Sequence, residues 1–186
     1  MPSPFDAVTT YFHAKDGNRP FLMRQAFAEG VQLEMVVKTE AISFPSTARG
    51  LVEIEEVLVR RIATDFENVY SFGLAQPTEV DRRRFSCPWL VAMSARADGA
   101  LRVGVGRYDW QFSPDLKCLV EKLLITIDVM QVLPASELDR IMSWITSLPY
   151  PWCQPDEVVR TMPRIEELAP VERYLKEARL NPPSAD

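Results

Sequence analysis

The sequence predicts an α+β fold in which a curved antiparallel sheet wraps over N-terminal helices and leaves a cone-shaped apolar cavity. Two observations support this prediction. Residues 3–72 read helix, helix, strand, long helix and strand, in that order. Three long strand-like runs then follow, and a strong turn signal joins two of them into a hairpin. This order closes a sheet around helices instead of alternating each strand with a helix.

The first two predicted helices have recognisable start and stop signals. Ser3 can cap the first helix, and Asp6 can reach back to that cap from the third helical position. Gly17 is a natural stop for this helix. A second helix is predicted from a cap at Asn18 to Gly30.

The middle of the chain reads as strand, helix, strand and loop. Apolar and polar side chains alternate over residues 31–38, which is typical of a half-buried strand. A long helix is predicted from Gly50, and residues 68–74 read as a short strand. We interpret the polar segment 76–88, which contains an arginine triplet, as a loop.

The next two strands are predicted over residues 89–97 and 101–112, joined by a turn at Asp98-Gly99. The second of them changes the phase of its apolar residues halfway along. Its two apolar sets are Leu101, Val103 and Val105, and then Tyr108, Trp110 and Phe112. Either a bulge at one of the two intervening glycines puts all six residues on one face, or the strand is buried on both faces.

The C-terminal part of the chain differs in composition from the rest. Alternating residues 123–129 predict a final strand, and a good amphipathic helix starts at Ser136 and ends before Pro149. The proline-rich remainder has too few apolar residues for its own core. We therefore expect a core domain over residues 1–133 and a helical tail over residues 134–186 that packs on it.

The bulk composition narrows the class of protein. The chain has 186 residues, of which 47% are hydrophobic and 25% charged, as in an ordinary globular protein. A net charge of −5 argues against general nucleic-acid binding, which needs a basic surface. The sequence shows neither a signal peptide nor an apolar run of the roughly 20 residues that span a membrane. We expect a cytoplasmic protein that binds neither nucleic acid nor membrane.

The cysteines and the histidine give no pattern for a metal site. Cys87, Cys118 and Cys153 lack the paired spacing of zinc ligands, and His13 is the only histidine. Three widely spaced cysteines suit reduced thiols in the cytoplasm better than a disulfide framework. We therefore expect no metal site and no cofactor.

Four segments carry a resemblance to a known superfamily. Their sequences are AVTTYFHAKDGNRPFLMRQAF, VQLEMVV, GLVEIEEVL and GRYDWQF. In order and spacing they resemble the nuclear transport factor 2-like superfamily, which includes the ketosteroid isomerases, scytalone dehydratase and the SnoaL-like cyclases. The resemblance covers roughly residues 5–130 and implies a cone whose pocket opens between the first helices and the concave face of the sheet. It also implies a homodimer packed through the outer face of the sheet.

The resemblance implies roles for individual positions. Tyr11 matches the tyrosine that donates a hydrogen bond to a developing oxyanion in isomerase-like members. Met35 stands where those enzymes place their general-base aspartate, and Tyr108 where they place a protonated aspartate. Methionine cannot accept a proton, and losing a positioned base costs roughly 10²–10⁴ in rate. Ketosteroid-isomerase chemistry by the usual route is therefore not expected.

These residues predict a largely apolar pocket with a few hydroxyl donors. The candidate ligand-binding residues are Tyr11, Leu33, Met35, Val37, Leu58, Trp89, Met93, Tyr108 and Trp110. The catalytic candidates are Tyr11, Tyr108, Asp109 and His13. His13 lies about 200° around the helix from Tyr11, which favours a solvated position near the helix end. Asp109 shares a strand face with Arg107, and such a pair more often lies on the outer face of a sheet.

Three functions fit these observations. The first is binding of a small apolar molecule that carries one or two oxygens. The second is a lyase, isomerase or hydrolase of the SnoaL-like type, acting on a hydrophobic cyclic or polyketide-like substrate. The third is a non-catalytic dimeric module whose cavity is filled by Phe12, Trp89 and Trp110. The sequence does not decide whether the protein is an enzyme, because every aromatic candidate also suits an ordinary core position.

Overall fold

The computed structural model describes residues 3–78 and 82–180, and this part of the chain forms seven helices and six strands. The helices are α1 Pro4–Asp16, α2 Met23–Ala26, α3 Leu51–Glu55, α4 Arg61–Asp65, α5 Leu138–Ser147, α6 Pro155–Thr161 and α7 Ala169–Leu180. The strands are β1 Phe27–Val37, β2 Thr47–Arg49, β3 Phe66–Gly73, β4 Arg84–Ala95, β5 Leu101–Phe112 and β6 Val120–Leu133. Short 3-10 turns lie at Pro20–Leu22, Ala135–Glu137 and Glu166–Leu168.

The six strands form one curved, open sheet in the order β2-β1-β6-β5-β4-β3. All neighbouring strands are antiparallel except β1 and β6, which run parallel. Helix α1 and the helical segment 51–65 lie against the concave face. The predicted α+β cone is therefore confirmed, with the refinement that one strand pair makes the sheet mixed.

The N-terminal helix follows its predicted signals. The Ser3 hydroxyl accepts a hydrogen bond from the Asp6 amide at 3.2 Å, and the Asp6 carboxylate accepts one from the Ser3 amide at 3.0 Å. Gly17 ends the helix. The predicted second helix is wrong at its end, because Gly30 lies inside β1. That strand already begins at Phe27, which pairs with β6.

The long helix predicted from Gly50 extends over residues 51–65, where a π-helical turn, Glu56–Arg60, joins α3 to α4. Gly50 precedes it with a φ of +81°, a backbone angle that suits glycine. Strand β2 was not predicted, because three residues are too few to show an alternation. The predicted loop 76–88 is too long, since β4 already begins at Arg84; residues 79–81 lie outside the described part.

Strand β5 is buried on both faces, which decides between the two interpretations of its phase change. Leu101, Val103 and Val105 face outward, whereas Tyr108, Trp110 and Phe112 face the concave side. The irregularity lies in the neighbouring strand: Val105 pairs with Val129 and Gly106 with Ile127, which leaves Asp128 as the extra residue of β6. The bulge also moves Val129 to the outer face, away from the side of Ile127.

The C-terminal helices cover much of the outer face of β3, β4 and β5. The predicted helix from Ser136 appears as a 3-10 turn followed by α5, and it ends before Pro149 as expected. Residues 181–186 of the predicted tail lie outside the described part. The outer core combines side chains of the sheet with side chains of the helices. Its members include Phe72, Leu90, Ala92, Val103, Val105, Ile141, Trp144, Ile145, Val158, Val171 and Leu175.

Candidate functional site

An apolar cavity lies between α1, the helix 51–65, the loop 38–46 and the concave face of the sheet. Its wall is built mainly from aliphatic and thioether side chains. These include Met35, Leu58, Met93, Ile125, Ile127 and Met130. Ile42 and Phe44, from the loop 38–46, complete the wall. Such a lining favours an apolar occupant.

The cavity is narrow. The volume of the cavity is about 40 Å³. One water molecule needs roughly 10–15 Å³ of such a cavity. The cavity therefore has room for a few atoms unless side chains move. Methionine is the side chain best suited to such movement, and three methionines line this wall.

Tyr11 presents an unpaired hydroxyl in this region. Helix α1 places the residue in the core with no solvent exposure, and its ring packs edge-on against Tyr108 and Trp110 at centroid distances of 5.9 Å and 5.3 Å. No described residue forms a hydrogen bond of acceptable geometry with its hydroxyl oxygen. Burial raises the pKa of the Tyr11 phenol. The Tyr11 group is therefore a neutral donor at ordinary pH.

Two indole groups nearby are in the same situation. The Nε1 atoms of Trp89 and Trp110 are buried and have no hydrogen-bond partner among the described residues. Both rings pack against Tyr108, at 5.7 Å and 5.3 Å. A buried donor without a partner costs about 1–3 kcal/mol, and native proteins contain few of them. Their concentration in one aromatic cluster marks this cluster as the chemically unusual part of the core.

Lys15 is a member of the wall that sequence reasoning missed. It follows Tyr11 by four residues, which puts both side chains on one face of α1. Its Nζ donates to Ser71 Oγ at 2.6 Å and to Asp16 Oδ1 at 3.1 Å. The spacing from Tyr11 was a usable signal, but a lysine near a helix end is usually solvated.

Asp16 forms an ion pair with this lysine. Its carboxylate also accepts hydrogen bonds from the Ser71 amide at 2.6 Å, the Ser71 hydroxyl at 2.9 Å and the Tyr150 hydroxyl at 3.1 Å. The side chains of Lys15 and Asp16 are only 10% and 5% exposed. The result is a buried ion pair without net charge at the edge of the cavity.

Six of the nine predicted ligand-binding residues lie on the wall of the cavity, and the other three do not reach it. Tyr11, Met35, Leu58, Trp89, Met93 and Tyr108 line the cavity. Leu33 and Trp110 are buried in the adjacent core, and Val37 packs against its edge. These three residues support the wall without lining the space.

Two of the four catalytic candidates lie away from the cavity. Asp109 accepts hydrogen bonds from Ser86 Oγ and from Arg107 Nε, the latter at 2.9 Å, on the outer side of the sheet. The His13 ring lies beside Tyr150, with ring centroids 5.5 Å apart, and is not part of the wall. Among the described residues of the wall there is consequently no carboxylate and no imidazole.

Cys87 is buried beneath the aromatic cluster and is not arranged as a nucleophile. Burial is the main reason why the pKa of its thiol is raised, and the nearby Asp109 carboxylate raises it further. The reactive form of cysteine is the thiolate, which this environment disfavours. Across residues 3–78 and 82–180, no three His, Cys, Asp or Glu side chains come together as a metal site would require. No helix in the same segments is long and apolar enough to cross a membrane.

Solved structures share this architecture. An NTF2-like superfamily protein from Salmonella enterica aligns with a TM-score of 0.54 and 16% identity, over 67% of this chain and 88% of its own. An NTF2-like protein from Burkholderia thailandensis aligns with a TM-score of 0.55 and 16% identity, over 69% of this chain and 92% of its own. The chain has the nuclear transport factor 2-like fold.

A third similar structure contains a bound molecule. A protein with a ketosteroid isomerase-like fold from Catenulispora acidiphila, solved in complex with trimethylamine, aligns with a TM-score of 0.52 and 14% identity. The alignment covers 67% of this chain and 85% of that protein. No protein-family model and no curated protein matches the sequence. These comparisons show the fold, and the function has to be argued from the residues in the cavity.

Proposed function

We propose that this protein binds a small, mostly apolar molecule in the cavity, where the Tyr11 hydroxyl donates a hydrogen bond to an oxygen of that molecule. The unpaired, fully buried Tyr11 hydroxyl carries the proposal. Leaving such a donor unpaired costs about 1–3 kcal/mol, and an acceptor on a ligand would recover part of this cost. The surrounding aliphatic and thioether wall favours an otherwise apolar ligand.

The wall supports binding more strongly than catalysis. Proton abstraction needs a base within hydrogen-bond reach of the substrate. The thioether of Met35 lines the cavity where the resemblance expects such a base, and no carboxylate or imidazole is present among the described wall residues. The Lys15 ammonium carries donors only. The alternative of a SnoaL-like lyase, isomerase or hydrolase would need a base from outside this wall.

The narrow space favours a second candidate, the non-catalytic module with a filled cavity. Phe12 and Trp110 are almost fully buried beside the wall, and Trp89 forms part of it. The two candidates differ in one measurable property, because a filled cavity would bind no small molecule. A similar Catenulispora acidiphila protein was solved in complex with a small molecule, trimethylamine, which favours a cavity that binds over one that is filled.

The proposal can be tested by titrating the protein with cyclopentanone while observing the methionine methyl groups by NMR. Met35, Met93 and Met130 all line the cavity, so their signals report occupancy directly. Tyr11→Phe should weaken binding about fivefold, the equivalent of about 1 kcal/mol for one hydrogen bond. Tyr174→Phe, which removes a hydroxyl on the opposite side of the sheet, is the matched control.

Two outcomes would contradict the proposal. Unchanged affinity in Tyr11→Phe would remove Tyr11 from the site. Absence of methionine shifts at saturating ketone would favour the filled module.

We also propose a cytoplasmic location and a homodimer through the outer sheet face. Three buried cysteine thiols that form no disulfide bond support the cytoplasmic location. The C-terminal helices pack on β4, β5 and β6, whereas Val36 on the outer side of β1 is 44% exposed, so we offer the outer side of β1 as the surface for a second copy. Sedimentation of the native chain and of Val36→Arg tests this interface. A dimer that the substitution does not weaken would place the interface elsewhere.

A further inference from the structure

We propose that the buried Lys15–Asp16 pair makes the cavity selective for neutral ligands whose polar end is an acceptor oxygen, such as the carbonyl of a ketone, aldehyde or ester. This inference rests on the proposed binding function and specifies the chemical class of the ligand. Its two parts are the surplus of donors around the cavity and the absence of net charge. Each part follows from separate contacts.

The polar groups at the cavity are almost all donors. The Tyr11 hydroxyl and the Trp89 Nε1 have no partner among the described residues. The ammonium of Lys15 has three protons, and Ser71 and Asp16 receive two of them. No described residue accepts the third, and Lys15 is part of the cavity wall. Apart from the tyrosine oxygens, no side chain of the described wall offers a strong acceptor, so a ligand oxygen that accepts hydrogen bonds fits best.

Helix geometry places two of these donor side chains on the same face of α1. Tyr11 and Lys15 are four residues apart on α1, and side chains at this spacing lie about 5–6 Å apart at Cβ. Long side chains from such positions can converge on one oxygen. A carbonyl oxygen, with two lone pairs, is able to accept from both.

The charge of the site excludes an anion. Asp16 neutralises Lys15, and its carboxylate is held by Ser71 and Tyr150 as well. A carboxylate ligand would therefore enter as an uncompensated buried charge, which is strongly unfavourable. A neutral carbonyl would gain the same hydrogen bonds without that cost. Asp16 consequently acts as a specificity-determining residue, although it does not line the cavity itself.

Three compounds with one ring skeleton separate these effects. Cyclopentanone carries the acceptor, methylenecyclopentane replaces the oxygen by a CH₂ group, and cyclopentanecarboxylate carries a charge. The native protein should bind the ketone at least about fivefold more tightly than the hydrocarbon, as one hydrogen bond requires. It should bind the carboxylate more than about tenfold more weakly than the ketone. Methionine methyl shifts report all three titrations.

Asp16→Asn provides the decisive test, because it removes the counter-charge and leaves the ammonium. This variant should gain at least about tenfold in affinity for cyclopentanecarboxylate, since opposite charges now meet in a shielded site. Asp16→Asn also removes acceptors from Ser71, so a charge-balanced variant is needed in parallel. The double variant Lys15→Met/Asp16→Asn should lose most of its preference for the ketone over the hydrocarbon. Neither preference should change in Lys176→Met, which breaks an exposed lysine–glutamate pair on α7.

The possible results distinguish this inference from the proposed function. Preference of the native protein for the carboxylate overturns the inference alone. So does an unchanged carboxylate affinity in folded Asp16→Asn, or an unchanged ketone preference in the double variant. Failure of all three compounds to bind any variant overturns the proposed function and the inference together.

Discussion

Both faces of the sheet are packed, but they differ in whether their buried indole groups have hydrogen-bond partners. On the outer face, Trp144 of α5 donates its Nε1 hydrogen bond to Thr161 Oγ1 at 3.2 Å and sits among aliphatic side chains. On the concave face, Trp89 and Trp110 have no partner among the described residues for the same indole group, and a cavity remains beside them.

The outer face therefore contributes to the stability of the fold, whereas the concave face contains unpaired donors that stability does not explain. A donor left unpaired in the core costs free energy and gives nothing to the fold. Within residues 3–78 and 82–180, three such donors are left unpaired on the concave side, in one aromatic cluster. Incomplete hydrogen-bond pairing is expected at functional sites, and we place the candidate functional site at this cluster.

The largest expected effect is on the outer face. Leu175→Ala in α7 removes a fully buried side chain from the outer core and should lower the free energy of unfolding by about 2–5 kcal/mol. Ligand affinity should not change, because the cavity lies on the other face. Urea denaturation measures the first quantity and the ketone titration the second. A loss below 1 kcal/mol, with a separate transition for the tail, would show that the outer core is not part of the cooperative unit.

A contrast between two glycines tests how tightly the concave face is built. At Gly106 an added Cβ would overlap the carbonyl oxygen of Thr126 and the ring of Trp89, so Gly106→Ala should cost about 3 kcal/mol. At Gly104 the Cβ would chiefly meet the flexible end of Met130, and Gly104→Ala should cost less than about 1 kcal/mol. Thermal unfolding of both variants measures the difference. Equal costs would mean that Met130 is held as rigidly as the backbone.

Alkaline pH should weaken the concave face through its tyrosines. Burial raises the folded-state pKa of Tyr11 and of Tyr108 above their ordinary value near 10. Below this ordinary pKa both tyrosines are neutral in the folded and in the unfolded chain, and their contribution to the free energy of unfolding is fully present. Above it they ionise in the unfolded chain while the folded chain still keeps them neutral, so the free energy of unfolding falls. Each tyrosine adds a slope of about 1.4 kcal/mol per pH unit. Tyr11→Phe should make the slope of the free energy of unfolding against pH shallower by the contribution of about one proton. Urea denaturation between pH 9 and 11 measures this slope. An identical slope in both proteins would show that Tyr11 ionises as freely as in the unfolded chain.

The smallest effect concerns the same substitution at neutral pH. Tyr11→Phe removes a hydroxyl that has no partner among the described residues, so it should leave the free energy of unfolding unchanged or raise it by up to about 1 kcal/mol. Trp144→Phe on the outer face breaks a hydrogen bond and should be destabilising. Denaturation curves of the two variants compare the faces directly. A marked loss in Tyr11→Phe would reveal a partner for this hydroxyl within the native protein.

The candidate site was predictable in part. Tyr11 and Tyr108 were identified from the positions that the superfamily resemblance implies, and both line the cavity. Lys15 was missed because a helix-end lysine has an ordinary place in solvent. Its burial depends on Ser71, which lies 56 residues away in β3. No local pattern contains such a contact.

What the sequence determined by itself is the set of elements whose signals are local. The capping box at Ser3, the alternation of β1 and the helix that stops before Pro149 all depend on neighbours within a few residues. Only the tertiary structure decided which side of β5 each apolar set faces, because a strand buried on both faces has no polar side to orient it. The same holds for the bulge at Asp128 and for the placement of the C-terminal helices on the outer face. These features follow from pairing and packing between distant segments, where the free energy of burial selects one arrangement among several that the local patterns allow.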